Sequence, residues 1–324
     1  MAARKKMPPW LTAVLVLVLL ALVAVVGMLL PAQQDRPVLR AAVPNVTFED
    51  FPAAPALPAI EPAPSPPPSH VNVKPRRGVA LIIDDVGYDL DALRRILSLD
   101  VPVAISVLPD SPHAGEAAEM AHEAGQMVML HLPMEPDTAK YRDQMDAAFL
   151  RVNMSQAEMQ QTFMRDLTRV PYVEGVNNHM GSHLTRLPGP MAWLMQSIRE
   201  EGMFFVDSRT TASSVAAQAA QAAGLPWAAR QIFLDHHLDA PYMHGAWKKA
   251  QVCQAEGRAC IIIAHPHPET VAFLEWQFSS GHGLALKPLR QLLHPGHMLA
   301  GAGKVSAEAL AAGNRARIRA GKVQ

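Results

Sequence analysis

Ala80-Leu81-Ile82-Ile83-Asp84-Asp85-Val86-Gly87 joins an apolar run to two adjacent carboxylates and a glycine. The run begins at Val79 and reads as a strand buried on both faces. A buried carboxylate needs a cation, a metal or several hydrogen-bond donors to offset lost hydration. The pair therefore either caps the next helix or divides its labour, one acid binding metal beside one acting as a base. The rest of the chain decides between these readings.

Outward from this strand, apolar β-rich runs recur at 103–108, 127–132, 173–176, 203–206, 232–234, 260–264 and 284–286. Helical patterns lie between most of them. Leu90, Leu93, Ile96 and Leu97 share one helix face, and Ser155 with Glu158 has capping-box spacing. Met191, Leu194, Met195 and Ile198 repeat at helical spacing before Gly202, and an alanine-rich helix ends at Gly224. Alternating strands and helices imply a parallel sheet, open or closed. Seven or eight such units in about 220 residues favour a barrel.

The strand ends carry the chemistry. They run Asp84-Asp85; Asp110-Ser111; His131 to Glu135; Asn177-Asn178-His179 to His183; Asp207-Ser208-Arg209; Asp235-His236-His237; and His265-Pro266-His267. In parallel α/β folds the carboxyl ends of the strands share one face, where active sites form. Asp85, His131 and His179 make a carboxylate and two imidazoles suited to a divalent metal, zinc first, with Glu135 as fourth ligand or orienting group. His183, four residues after His179, ranks below it because Gly181 interrupts a helical turn.

Together, Ile82-Ile83-Asp84-Asp85-Val86-Gly87, His131-Leu132-Pro133-Met134-Glu135 and Asn177-Asn178-His179-Met180-Gly181-Ser182 resemble the divergent polysaccharide deacetylases, a branch of the NodB-like polysaccharide deacetylase superfamily. The resemblance covers roughly residues 77–290. It implies a distorted (β/α)7-8 barrel and metal-dependent removal of N- or O-acetyl groups from glycans. By position, Asp84 matches the catalytic base, Asp85 the metal-binding aspartate and His131 the first histidine of the second motif. Glu135 stands where that motif has another histidine, and Asn177-Asn178-His179 where the third has an arginine and prolines, so His179 replaces a missing ligand. His265, with His267 nearby, occupies the last motif as general acid. Asp207 or Asp235 is expected to orient that histidine, and both, with Asn178, are candidates for substrate contact. Tyr88 and Trp193 are weighed as sugar-stacking rings against a packing use.

The 324 residues carry no net charge, with Lys+Arg 29 against Asp+Glu 29, which argues against nucleic acid as partner. Residues 1–9 form a basic N-terminus. Residues 10–30 are almost wholly apolar, and about 20 such residues span a bilayer. Arg4, Lys5 and Lys6 before them keep the N-terminus in the cytoplasm. The expectation is an uncleaved, single-pass signal anchor in a bacterial inner membrane, with the main domain periplasmic. Residues 31–75 are a proline-rich linker, 76–300 the folded domain and 301–324 a basic flexible tail. Cys253 and Cys260 would form a disulfide in an oxidising compartment.

The partners expected are the membrane and a cell-envelope glycan, peptidoglycan or a related polysaccharide. Two rival functions remain at this point: a catalytically silent module binding glycan or protein, and another metal hydrolase such as a phosphoesterase.

Overall fold

The computed structural model describes residues 76–143 and 145–296. The anchor, linker and tail expected at 1–75 and 301–324 lie outside these residues. Among the described residues, no helix is long and apolar enough to cross a membrane.

Eight strands form one parallel sheet: β1 (Gly78–Val86), β2 (Val103–Val107), β3 (Met127–Met134), β4 (Val173–Met180), β5 (Phe204–Asp207), β6 (Trp227–Ala229), β7 (Ile232–Phe233) and β8 (Ala259–Ala264). Their order is β6-β5-β4-β3-β2-β1-β8-β7. From β1 to β6 each strand pairs with the next in sequence, which is the winding of a curled, barrel-type sheet rather than a doubly wound one.

β6 and β7 stand at opposite ends of that order, yet only Arg230 and Gln231 separate them. Arg230 N–H donates to Asp207 O of β5 at 2.9 Å, and Gln231 N–H donates to Ile261 O of β8 at 3.1 Å. One short segment thus pairs first with one edge of the sheet and then with the other. The expected last strand, 284–286, is corrected. Leu286 makes only an isolated bridge to Val79, because β2 takes that edge of β1 from Leu81 onward and β8 holds the other. The strand missing from the sequence reading is β6, too short to show a period.

Strand alternation sorts the apolar residues into two cores. Val79, Leu81 and Ile83 of β1 join the core beneath the helices, with Val103, Ile105, Val128, Leu130, Phe205 and Ile262. Ala80 and Ile82 face the interior, with Ala104, Met129, Phe204, Val206, Ala228, Ile261 and Ile263. Leu289 and Leu292, from the 3-10 turn Leu289–Leu292, close this inner core near the amino ends of the strands. Inside the sheet, Gly175 must lack a side chain, since a Cβ there would collide with the Phe204 ring.

The helices form where the sequence signals put them. Asp89 caps Leu90–Leu97, and Ser155 with Glu158 closes a capping box on Gln156–Arg169. Cys253 and Cys260 are disulfide-bonded, tying helix Ala240–Ala255 to β8. Closing so short a loop contributes about 2 kcal/mol in the chain-entropy account.

Helix Gln156–Arg169 also buries Asp166 completely, with Arg165 on Oδ1 and no partner on Oδ2. Burial raises this carboxyl to about 7. Between about pH 4 and pH 7 the folded chain therefore holds a proton that the unfolded chain has lost, and stability falls as pH rises through that window. Asp166→Asn is expected to stabilise the fold above pH 7 by on the order of 2 kcal/mol and to change little below pH 4. Denaturant melts at pH 4 and pH 8 check this; an equal effect at both pH values refutes it.

Candidate active site

The candidate site is the next inward layer above the apolar interior. Continuing each inward series by two residues reaches a polar side chain on strand after strand. Ala80-Ile82 leads to Asp84, Ala104 to Ser106, Met129 to His131, and Gly175 to Asn177 and then His179. Likewise Phe204-Val206 leads to Ser208, Ala228 to Arg230, Phe233 to Asp235, and Ile261-Ile263 to His265.

Asp85 breaks this parity and would face the helices in a regular strand. The β1–β2 register shifts between Ile83 and Val86, and Asp85 takes a left-handed φ of 56°. An extra residue in one strand re-aims its side chains. Both carboxylates consequently approach one imidazole: His131 Nε2 lies 3.1 Å from Asp85 Oδ1 and 3.8 Å from Asp84 Oδ2. Left-handed backbone at a non-glycine residue is costly, and such strain collects at functional sites.

His179 Nδ1 completes the cluster, 2.9 Å from Asp85 Oδ1 and 3.2 Å from His131 Nε2. Asp85 Oδ1 is buried, yet no N–H or O–H points at it despite these short contacts. The three atoms converge on one point, as the ligands of one ion do.

Asn177 supports that reading. It is fully buried, and its Nδ2 donates to Asp84 Oδ1 at 2.8 Å and to Ser208 Oγ at 3.2 Å. A carboxylate only accepts, so the amide oxygen must face the other way. There it accepts from Ser106 Oγ at 2.5 Å and meets His131 Nδ1 at 2.9 Å. His131 Nδ1 must then carry the hydrogen, leaving the Nε2 lone pair aimed at the cluster. The tautomer is assigned from these partners.

The acids and imidazoles of the cluster act on one another electrostatically. Burial by itself would raise the Asp85 carboxyl, but His179, with contacts from His131, holds it well below the ordinary carboxylate value. Burial would lower His131, and the charge of Asp84, with Asp85 and Asn177, raises it instead. Two imidazoles and one carboxylate oxygen converging on one point fit a divalent metal.

A second constellation faces this one. Asp235 Oδ1 lies 3.0 Å from His265 Nδ1, while Oδ2 accepts from His265 N–H at 2.7 Å and Thr270 Oγ at 2.8 Å. Burial would lower His265, but Asp235, aided by Asp85 and Asp84, lifts it to about 9. Asp235, His265 and His267 also lie close enough to hold an ion. Donors already occupy both Asp235 oxygens, so we read this set as a carboxylate orienting a protonated histidine. His267, at the start of helix Pro268–Ser279, has no hydrogen-bonded carboxylate among the described residues, and burial pushes its pKa down.

Several sequence candidates fall elsewhere. Glu135 does not join the metal cluster: Oε1 is 3.0 Å from His183 Nδ1 and Oε2 accepts from Val152 N–H at 2.9 Å. β3 ends at Met134, so the alternation that would have turned Glu135 inward has stopped. Asn178 and Asp207 hold the parity facing the helices, and their side chains bond to nearby loop groups. Asn178 accepts from Ser208 N–H and donates to Met180 O. Asp207 accepts from Arg209 N–H, Ser214 Oγ and Ala217 N–H, organising the loop after β5. Asp235 is spent on His265. Trp193 packs on the outer core, while Tyr88 is half-buried, with burial and then the charges of Asp85 and Asp146 raising its hydroxyl. The sequence reading missed Ser106 and Arg230, and quoted Asn177 and Ser208 at strand ends without giving either a role. Their signal was the two-residue period carried past each apolar run.

The class and the family follow from this fold and site. A parallel curled sheet with Asp and His gathered at its carboxyl end is the arrangement that the resemblance to the polysaccharide deacetylases implies. The chain belongs to the divergent polysaccharide deacetylase family, whose model matches residues 81–293. It is 34% identical over 197 residues to YibQ of Escherichia coli (strain K12), named an uncharacterised protein; the match spans 61% of each chain. An uncharacterised protein of Haemophilus influenzae is 32% identical over 197 residues, 61% of this chain and 69% of that one. The crystal structure of an uncharacterised Agrobacterium tumefaciens C58 protein shares the fold, with TM-score 0.61 and 18% identity over 70% of this chain and 92% of that one.

Proposed function

We propose that the protein is a metal-dependent deacetylase of an acetylated cell-envelope polysaccharide. In this reading residues 10–30 hold it at the bacterial inner membrane and the barrel works in the periplasm. The observation that carries the activity is the convergence of Asp85 Oδ1, His131 Nε2 and His179 Nδ1 on one point, with the His265–Asp235 pair at the same end of the sheet. A divalent ion held by those three residues, zinc by the chemistry of the donor set, would polarise the acetyl carbonyl and acidify a water molecule.

The chain's own groups do the rest. Asp84 has Oδ1 tied to Asn177 and Oδ2 facing the ligand cluster. Oδ2 takes the proton of the attacking water as general base. Asn177 holds Asp84 and His131 in one geometry. His265 gives its Nε2 proton to the departing nitrogen or oxygen, and Asp235 keeps the ring turned for that transfer.

Acetate release from a panel of acetylated envelope polysaccharides by the full chain, with metal content measured alongside, tests the proposal. Release that Asp84→Asn abolishes while metal is retained supports it. Bound metal with no release across the panel overturns it in favour of a silent binding module.

The His265–Asp235 pair fixes a pH dependence. A histidine raised to about 9 stays protonated through neutrality, so activity is expected to fall as pH rises through about 9. Asp235→Asn removes the main cause of the shift and should bring that alkaline limb down by roughly 1–2 units. Bound metal offsets the contribution of Asp85 but leaves that of Asp235. An unmoved limb in Asp235→Asn assigns the titration to another group. The same shift stabilises the fold below the unfolded histidine's pKa, near 6.5, and is lost as pH rises through about 9.

A further inference from the structure

Arg230 occupies an inward position in the polar layer, and the chemistry above does not use it. Its guanidinium is clamped. Nε donates to Ser208 O at 2.6 Å, Nη2 donates to Arg209 O at 2.8 Å, and the plane lies over the Phe233 ring at 4.7 Å. These bonds consume two of its five N–H groups. The other three, including both on Nη1, have no partner among the described residues.

Neither Arg230 nor its neighbour Arg209 forms a salt bridge with any described residue. Asp207, the carboxylate that most influences Arg230, gives its oxygens to Arg209 N–H, Ser214 and Ala217 instead. Arg209, exposed and two residues after Asp207, holds a left-handed φ of 49°, fixed through that Asp207 contact, and its charge acts on Arg230.

A half-buried guanidinium held flat, with a free fork and neither Asp207 nor Asp84 in a salt bridge with it, is an unfinished ion pair. A staple closing the sheet would need only the two carbonyl bonds. The location says what finishes the pair. The ring that Arg230 covers is itself 5.3 Å from the His265 ring. The guanidinium therefore sits no farther from His265 than those two legs laid end to end, within reach of a substrate whose leaving group is at His265.

We propose that Arg230, assisted by Arg209, is an anion-binding subsite, and that the substrate is an acetylated amino sugar carrying a carboxylate or phosphate near its acetyl group. This inference rests on the deacetylase reading for the position of the acetyl group. A guanidinium fork matches either anion in bidentate fashion.

The test is equilibrium binding to the full chain loaded with zinc. The probes are an N-acetylhexosamine trisaccharide with a carboxylate ether on the oxygen next to the acetamide, the methyl ester of that compound, and a 6-phosphorylated trisaccharide. The wild type should bind at least one anionic form roughly tenfold or more tighter than the ester. Which form gains identifies the anion. Arg230→Gln should bring the favoured form to within about twofold of the ester without lowering the ester's own affinity, and Arg209→Gln should cost less and chiefly at low salt.

Acid, phosphate and ester binding alike in the wild type would overturn the subsite, and that comparison needs no variant to fold. Acetate release without anion preference removes the subsite and leaves the hydrolase. Arg230-dependent anion preference without acetate release keeps the subsite and removes the hydrolase.

Discussion

His131→Ala and Asp85→Asn are each expected to empty the protein of divalent metal, leaving under about a tenth of the wild-type content after dialysis against a weak chelator. The expectation follows from contacts of 2.9–3.2 Å among Asp85 Oδ1, His131 Nε2 and His179 Nδ1. Three protein ligands make a minimal set, and losing one leaves two. Glu135→Gln and His183→Ala serve as controls, because that pair sits with the Val152 backbone away from the cluster. Both controls should keep their metal. Acetate release should fall by about a thousandfold or more in the ligand variants, since both the water and the carbonyl lose their activating ion. Full metal content in both ligand variants would falsify the assignment, whatever their activity.

Asn177 carries the second large effect. Its amide bridges Asp84 Oδ1 and His131 Nδ1, and each end is used twice. Asn177→Ala should weaken metal binding by about 10–100-fold, the usual cost of losing the partner that orients a ligating histidine. Stability should drop by about 2–4 kcal/mol as the buried groups of His131, Ser106 and Ser208 lose their partner. Asn177→Asp separates the two ends. It still accepts from His131, so most of the metal affinity should survive. It also sets a carboxylate against Asp84, so one of the two acids takes up a proton and the base is lost. Turnover should then collapse with metal still bound. In the wild-type apoprotein, nitrogen NMR of His131 should report hydrogen on Nδ1. Finding it on Nε2 overturns the relay without recourse to any variant.

Much of this site was legible from one rule. The apolar residues of each strand alternate, and the inward series runs on into chemistry: Ile82 to Asp84, Met129 to His131, Ile263 to His265. The same rule explains two misses. Asn178 and Asp207 look like site residues by type, but their parity turns them to the helices, where they fasten loops. Glu135 has the right parity and still fails, because its strand ends one residue earlier. The segment 284–286 fails for a different reason, since β2 takes that edge of β1 from Leu81 onward and leaves only Val79 to bridge.

By itself, the sequence determined the strand–helix alternation, the parallel sheet and the gathering of Asp and His at one end. Those follow from local hydrophobic period and from the shared direction of parallel strands. Only the tertiary structure decided how Asp84 and Asp85 come to serve one site. Adjacent residues of a strand point to opposite faces, so no local pattern places both inside. The irregular β1–β2 register and the left-handed Asp85 do so, and the packing around them sustains the strain. The tertiary structure likewise chose Asn177 over Asn178 as the link and Asp235 over Asp207 as the partner of His265. Each choice is a distance between strands far apart in the chain, and such distances are set by sheet register rather than by spacing along the sequence.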